Sequence, residues 1–221
     1  NTSMKLFITT LLAITFGLNV IAATPTSNTT EIDCTIAPDE AMGPLVEAIV
    51  LKDLTKLKSA IEAKAKLEQD IKFIYVRAGV GTISFEKGTP LMYAIQMDWY
   101  EGVLELLRAG AKPNAVRNAE PSGFYHLGCL AEKIEGITPM YLATLHANAD
   151  ILKIMIIADG DTRGSMNVFY SNKCNVNGTN VKMAMWHMRE NGPASMVEII
   201  KDAKKAAWAQ NGLPAEGQKP E

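Results

Sequence analysis

Three prolines, Pro44, Pro90 and Pro139, each open a closely similar run of residues, and that recurrence constrains the chain more than anything in its composition. A short helical unit that recurs along a chain cannot bury its own faces and must stack on its copies. The middle copy, residues 87–114, is the clearest. Thr89 can cap a helix through its hydroxyl, and Pro90 suits the first helical position, where a backbone N–H would have no intrahelical partner. Leu91 and Ala94 then face inward. A turn over residues 98–102 reverses the chain, and Val103, Leu106 and Leu107 give a second helix an apolar stripe at i, i+3, i+4. Gly110 ends that helix with the left-handed residue that helix C-termini often use.

Copies flank it on both sides. Gly136, Ile137, Thr138, Pro139 and Met140, with Ala143, residues 154–157 and Gly160, repeat the scheme with one residue more between Pro139 and Gly160 than between Pro90 and Gly110. Upstream, Gly43, Pro44, Leu45, Ala48, Leu57, Ala60, Ile61 and Ala65 keep the spacing, with Gly43 in place of the threonine and Lys64 in place of the terminal glycine. Downstream, Thr179, Asn180, Val181 and Ala184 occupy first-helix slots and Met196, Ile199 and Ile200 second-helix slots of a degenerate, capping copy.

The set Gly88-Thr89-Pro90-Leu91, Ala94, Val103, Leu106-Leu107, Gly110-Ala111 and Asn114 resembles an ankyrin repeat. The resemblance implies an all-α repeat solenoid of about four ankyrin repeats, helix-turn-helix units with extended β-hairpin fingers, over residues 41–210. One departure from the family is informative. The prolines are 46 and 49 residues apart, where an ankyrin repeat takes about 33. Nearly all of the surplus falls between one second helix and the next first helix, where the family makes its fingers. Residues 71–76, 78–81 and 82–85 read as strand, glycine turn, strand. The later fingers fall at residues 115–135 and 165–177.

The remaining segments are assigned by composition. Residues 1–3, ahead of Met4, read as an expression scar. Residues 4–23 have the basic start, apolar run and small-residue end of a secretory signal peptide, which implies an exported protein, periplasmic or secreted. The apolar run includes three threonines, Gly17 and Asn19, which disfavours a membrane anchor. Residues 24–40 are a polar tether, and 211–221, rich in glycine and proline, are expected to be a frayed, disordered tail. Export gives the three cysteines an oxidising setting. Cys129 and Cys174, each five residues after a phenylalanine and four after a tyrosine, are the preferred disulfide, with Cys34 paired to a finger as the rival.

Chemistry is sparse. With 22 Lys and Arg against 24 Asp and Glu, the net charge of -2 disfavours nucleic acid as the main ligand. No nucleophile elbow, zinc-protease motif, phosphate loop or calcium loop occurs, and no cofactor or metal is implied. His126 and Cys129 have a two-residue gap that could begin a zinc site, but no second pair follows at finger spacing. Aromatic residues do fall where the scaffold is expected to be exposed. Tyr75, Phe124, Tyr125, Phe169 and Tyr170 lie in fingers, and Trp99 and Tyr100 between the two helices of the middle unit. With His126 they are the candidate partner-binding residues, since Tyr, Trp and Phe are common anchors at protein interfaces. The reading that results is a non-enzymatic, monomeric, exported protein that holds one partner protein, in its specific form a toxin-neutralising immunity protein. The rivals are an envelope-protection factor associated with oxidative stress and a cryptic enzyme built on His126 and Cys129.

Overall fold

The computed structural model describes residues 43–77, 81–122, 125–126, 129–146, 148–162, 165–170, 180–184, 198–200 and 211–220, all within the compact unit Asp33–Glu221. The segments expected to be a signal peptide and a tether, with Cys34, Phe124 and Cys174, lie outside the described residues. Three helix pairs follow one another: α1 (Pro44–Val50) with α2 (Leu54–Glu62), α3 (Pro90–Gln96) with α4 (Tyr100–Arg108), and α5 (Pro139–His146) with α6 (Ala149–Ile157). First helices pack on first helices and second on second, which makes two helical layers.

The local reasons are those the sequence advertises. Thr89 Oγ1 accepts the Met92 N–H at 3.1 Å, and Thr138 Oγ1 accepts that of Tyr141 at 3.1 Å. Gly43 takes the same place ahead of α1 without a side chain to cap it, leaving Pro44 to set the first turn. Asp53 and Asn148 cap α2 and α6 with their side chains.

Each second helix then ends in a Schellman motif. The bonds Ala65 N to Ala60 O, Ala111 N to Leu106 O and Gly160 N to Met155 O, at 3.0, 2.9 and 2.8 Å, close the three copies. The left-handed residues in them are Lys64, Gly110 and Asp159, with φ of 60°, 94° and 65°. Each lies 20 positions after its proline, so the third copy carries no insertion. Gly160 is present for another reason. A Cβ there would lie 2.5 Å from Met140 Sδ and 2.6 Å from Met155 O, so only glycine fits between the two helices.

Adjacent units are stitched by one recurring bond. Glu68 Oε1 accepts the N–H of Lys112 at 2.9 Å, and Asn114 Oδ1 accepts that of Asp161 at 2.7 Å. Glu68 and Asn114 are both 24 positions after their proline, and Lys112 and Asp161 both 22 after theirs. Asn114 adds Nδ2 to Asp159 O at 2.8 Å.

The fingers change the fold class. Strands β1 (Ile71–Arg77), β2 (Gly81–Gly88), β3 (Arg117–Ser122), β4 (Tyr125–His126), β5 (Cys129–Ile137), β6 (Ser165–Tyr170) and β7 (Asn180–Ala184) form one sheet in the order β1-β2-β3-β5-β6-β7, with β4 on β5. Every pairing is antiparallel. Neighbouring fingers are therefore joined edge to edge, Thr82 to Ser122 on one seam and Ile134 to Val168 on the other. The expectation of an all-α solenoid is corrected to helix-turn-helix units that alternate with hairpins, because fingers this long leave edge strands whose N–H and C=O groups are best met by the next finger.

A second correction concerns the fourth unit. Asn180, Val181 and Ala184, placed in first-helix slots by the sequence, form β7, where Val181 meets Val168 and Met183 meets Met166. Polar and apolar residues alternate through Asn180, Val181, Lys182 and Met183, and that period of two decides for a strand against the weak helical spacing. Residues 198–200 are helical, as expected of the second-helix slots.

Candidate functional site

Alternation along the strands divides the sheet into two faces. Ile71, Phe73 and Tyr75 of β1, Ile83 and Phe85 of β2, Ala119 of β3, Ile134 of β5, and Met166, Val168 and Tyr170 of β6 are all buried. Cross-strand partners share this face, as in Tyr75 with Ile83, Phe73 with Phe85 and Ala131 with Tyr170. Phe73 stacks on Phe85 at 4.9 Å and tilts against Tyr93 of α3 at 5.3 Å, so the buried face is continuous with the helical core.

The exposure expected of several candidate residues is corrected accordingly. Tyr75 and Tyr170 sit on the covered face and are buried, since their parity in the strands matches that of Phe73 and Val168. Trp99 and Tyr100 are also buried. The Trp99 indole lies over Gly102, where a Cβ would come within 2.1 Å of the ring, and Tyr100 Oη donates to Gln218 O at 2.9 Å. A side chain buried in the free protein is not available as an anchor. Tyr125, His126 and Cys129 are placed only by backbone, Tyr125 opposite Leu130 and His126 opposite Cys129. Of the eight candidates, Phe169 is on the open face and partly exposed, with Lys133 Nζ 5.7 Å from its ring centroid.

The other face of the sheet is open and carries the exposed apolar residues of the fingers. Ile74, 44% exposed, is the cross-strand partner of Ser84, and Ser84 of Glu120. Ser84 and Glu120 line an open groove of about 600 Å³ that also takes in Glu86, Lys87, Arg117, Glu132 and Lys133. Val116, 61% exposed, forms part of its wall, and Leu130, 40% exposed, lies on β5 beyond it. Ion pairs cross the face, Lys72 to Glu86 at 3.0 Å and Lys133 to Glu135 at 2.6 Å. Arg117 approaches Glu68 at 3.8 Å, and its Nε is buried without a hydrogen-bond partner. Three acids and three bases line the groove, a balance that suits a mixed protein surface better than a polyanion. Sequence reasoning passed over Ile74, although its alternation with Phe73 and Tyr75 marks it as the outward residue of β1.

Two tyrosines beneath the sheet have altered acidity. Burial pushes the Tyr170 hydroxyl up to about 12, and burial together with the neighbouring Tyr170 raises that of Tyr141 further. Neither faces the groove, and both serve the packing of the sheet on the helices. Among the described residues no group of three or more His, Cys, Asp and Glu is placed to hold a metal ion, and no helix is long and apolar enough to cross a membrane.

Comparison with protein families gives one finding. Residues 87–118 match the family model described as Ankyrin repeat. The match covers the second helix pair from Lys87 into the start of β3. A search of curated proteins returned no match. The chain thus contains an ankyrin repeat, a unit whose stacked arrays commonly serve protein–protein interaction.

Proposed function

We propose that this chain is an exported binding protein, monomeric and without catalytic activity, that holds one partner protein through the open face of its joined fingers. The observation that carries the reading is the sheet itself. One face is committed to the helices, while the other presents Ile74, Val116, Leu130 and Phe169 among charges of both signs, a mixture of apolar anchors and polar rim usual at protein interfaces. Joining the fingers fixes the relative positions of these residues before any partner arrives, which lowers the ordering cost of binding.

The specific form of the proposal is that the partner is a toxic effector and the chain its immunity protein. The leader-like residues 4–23 and the lack of catalytic motifs support it. The test is affinity capture from an envelope extract of the source organism, with the recovered proteins identified by mass spectrometry. Wild-type protein is expected to retain one stoichiometric partner, and Ile74→Asp with Leu130→Asp to lose it. Leu51→Asp, on a helix-pair turn away from the sheet, is expected to keep it. Equal recovery by all three proteins would overturn the assignment of the open face. No partner, together with peroxide sensitivity on replacing the cysteines by serine, would favour the envelope-protection reading.

A further inference from the structure

Residues 211–220, expected to be frayed, lie across the outer helical layer. Leu213 packs against the edge of the core. Arg108 of α4 donates to Pro214 O, Lys58 of α2 pairs with Glu216 at 2.6 Å, and Tyr100 of α4 donates to Gln218 O at 2.9 Å. Lys219 pairs with Asp150 of α6 at 2.6 Å while its ammonium stands 5.6 Å from the Tyr100 ring centroid, and Lys153 of α6 donates to Pro220 O at 3.0 Å. One short segment thus touches the second helix of each of the three described helix pairs, α2, α4 and α6.

Its form is that of a bound peptide. The Gln218 N–H closes a turn on Ala215 O at 3.0 Å, with Gly217 in the left-handed conformation at φ 74° that such a turn requires. The turn sends the Glu216 carboxylate to α2 and the Lys219 ammonium to α6. The receiving groups are complementary in order, a cation on α2, donors on α4, and an anion with a donor on α6. Three of the contacts read the backbone carbonyls of Pro214, Gln218 and Pro220, which any sequence of the same shape supplies.

We infer that the outer face of α2, α4 and α6 is a peptide-recognition surface, that residues 211–220 occupy it as a built-in stand-in, and that a segment of a partner protein with the same chemistry displaces them. The required segment is extended, turns at a glycine, and carries a carboxylate three residues ahead of an ammonium. Residues 215–219 of the strap are exposed and its ion pairs lie at the surface, where such pairs hold weakly. Covalent attachment of the strap supplements these weak contacts with an effective concentration on the order of millimolar. A partner presenting a better-fitting segment, or several contacts at once, can therefore replace it. This inference concerns the helical layer and stands whether or not the sheet binds a partner.

The test uses the full chain and a fluorescent synthetic peptide of residues 211–220, followed by polarisation. Wild-type protein is expected to bind the peptide weakly, because its own strap competes. A chain with Glu216→Lys and Lys219→Glu is expected to bind it at least about tenfold more tightly, with affinity falling as salt is raised. Adding Lys58→Glu and Asp150→Lys to a chain whose strap keeps Glu216 and Lys219 is expected to invert the preference, so that a peptide carrying the two strap reversals binds and the natural one does not. Equal binding of the two peptides by both receptors, or no binding by the strap-reversed chain, would overturn the inference. Concentration-dependent dimers of the wild-type chain that dissolve on strap reversal would assign the surface to a second copy and overturn the partner.

Discussion

At Gly102 an added methyl group would meet the Trp99 indole at 2.1 Å, and the ring is itself buried, so neither group can step aside cheaply. Gly102→Ala is expected to cost roughly 1 to 3 kcal/mol in urea unfolding. The opposite sign is expected at Lys64 and Asp159, which adopt left-handed φ without being glycine. Lys64→Gly and Asp159→Gly should each stabilise the protein by about 1 kcal/mol by relieving that strain. These two positions explain why the sequence misaligned the third unit. A reader following glycine finds Gly160, whereas the backbone counts to Asp159, and only φ tells them apart. The buried tyrosines make a further prediction at this scale. Burial pushes the Tyr170 hydroxyl from about 10 up to about 12, so the unfolded chain is the one that loses its proton first. The stability it contributes is complete below pH 10 and is lost as pH rises towards 12, with Tyr141 acting in the same direction. The share of tyrosinate absorbance that Tyr170 and Tyr141 contribute should thus appear late, in step with loss of far-UV ellipticity. Ordinary titration near pH 10 of every tyrosine in a still-folded protein would refute this.

Helices in this chain are held by their ends and by their neighbours. Thr89→Ala removes a fully buried cap from α3, every residue of which is buried, and is expected to cost about 1 kcal/mol, largely regained in Thr89→Ser. Asn114→Ala removes two of the hydrogen bonds that join the second unit to the third, with an expected loss of roughly 1 to 2 kcal/mol in urea unfolding. The helix pairs were legible because their signals are local, a capping hydroxyl, a proline and an apolar stripe within 20 residues. The first hairpin was legible for the same reason. Alternation in 71–76 and 82–85 identified the strands, but it could not say which of the two faces is covered, and the aromatic candidates Tyr75 and Tyr170 fell on the covered one. Trp99 and Tyr100 were misjudged differently. A turn between helices is normally wet, and nothing near them in sequence announces Gly102 as a seat for the indole or Gln218 as a lid on the phenol.

Over the whole molecule, two features escaped a reading along the chain, and both are pairings between distant residues. The seam between Thr82 and Ser122 and the bridge between Lys58 and Glu216 have no periodicity to betray them. Because the seams tie each unit to the next through strands as well as helices, unfolding of the described array should be one transition. Far-UV and near-UV circular dichroism are expected to give coincident urea midpoints, and separate midpoints would show that the units melt independently. The joined sheet also sets a rule for anyone who wishes to borrow the scaffold. From proline to left-handed residue the count never varies, while the stretch that follows differs in length from one unit to the next, so replacement sequence belongs in that stretch. It cannot be exchanged one hairpin at a time, however, since β2 ends one cassette and β3 begins another. The interchangeable part is a pair of adjoining fingers with their common seam, grafted as a single piece.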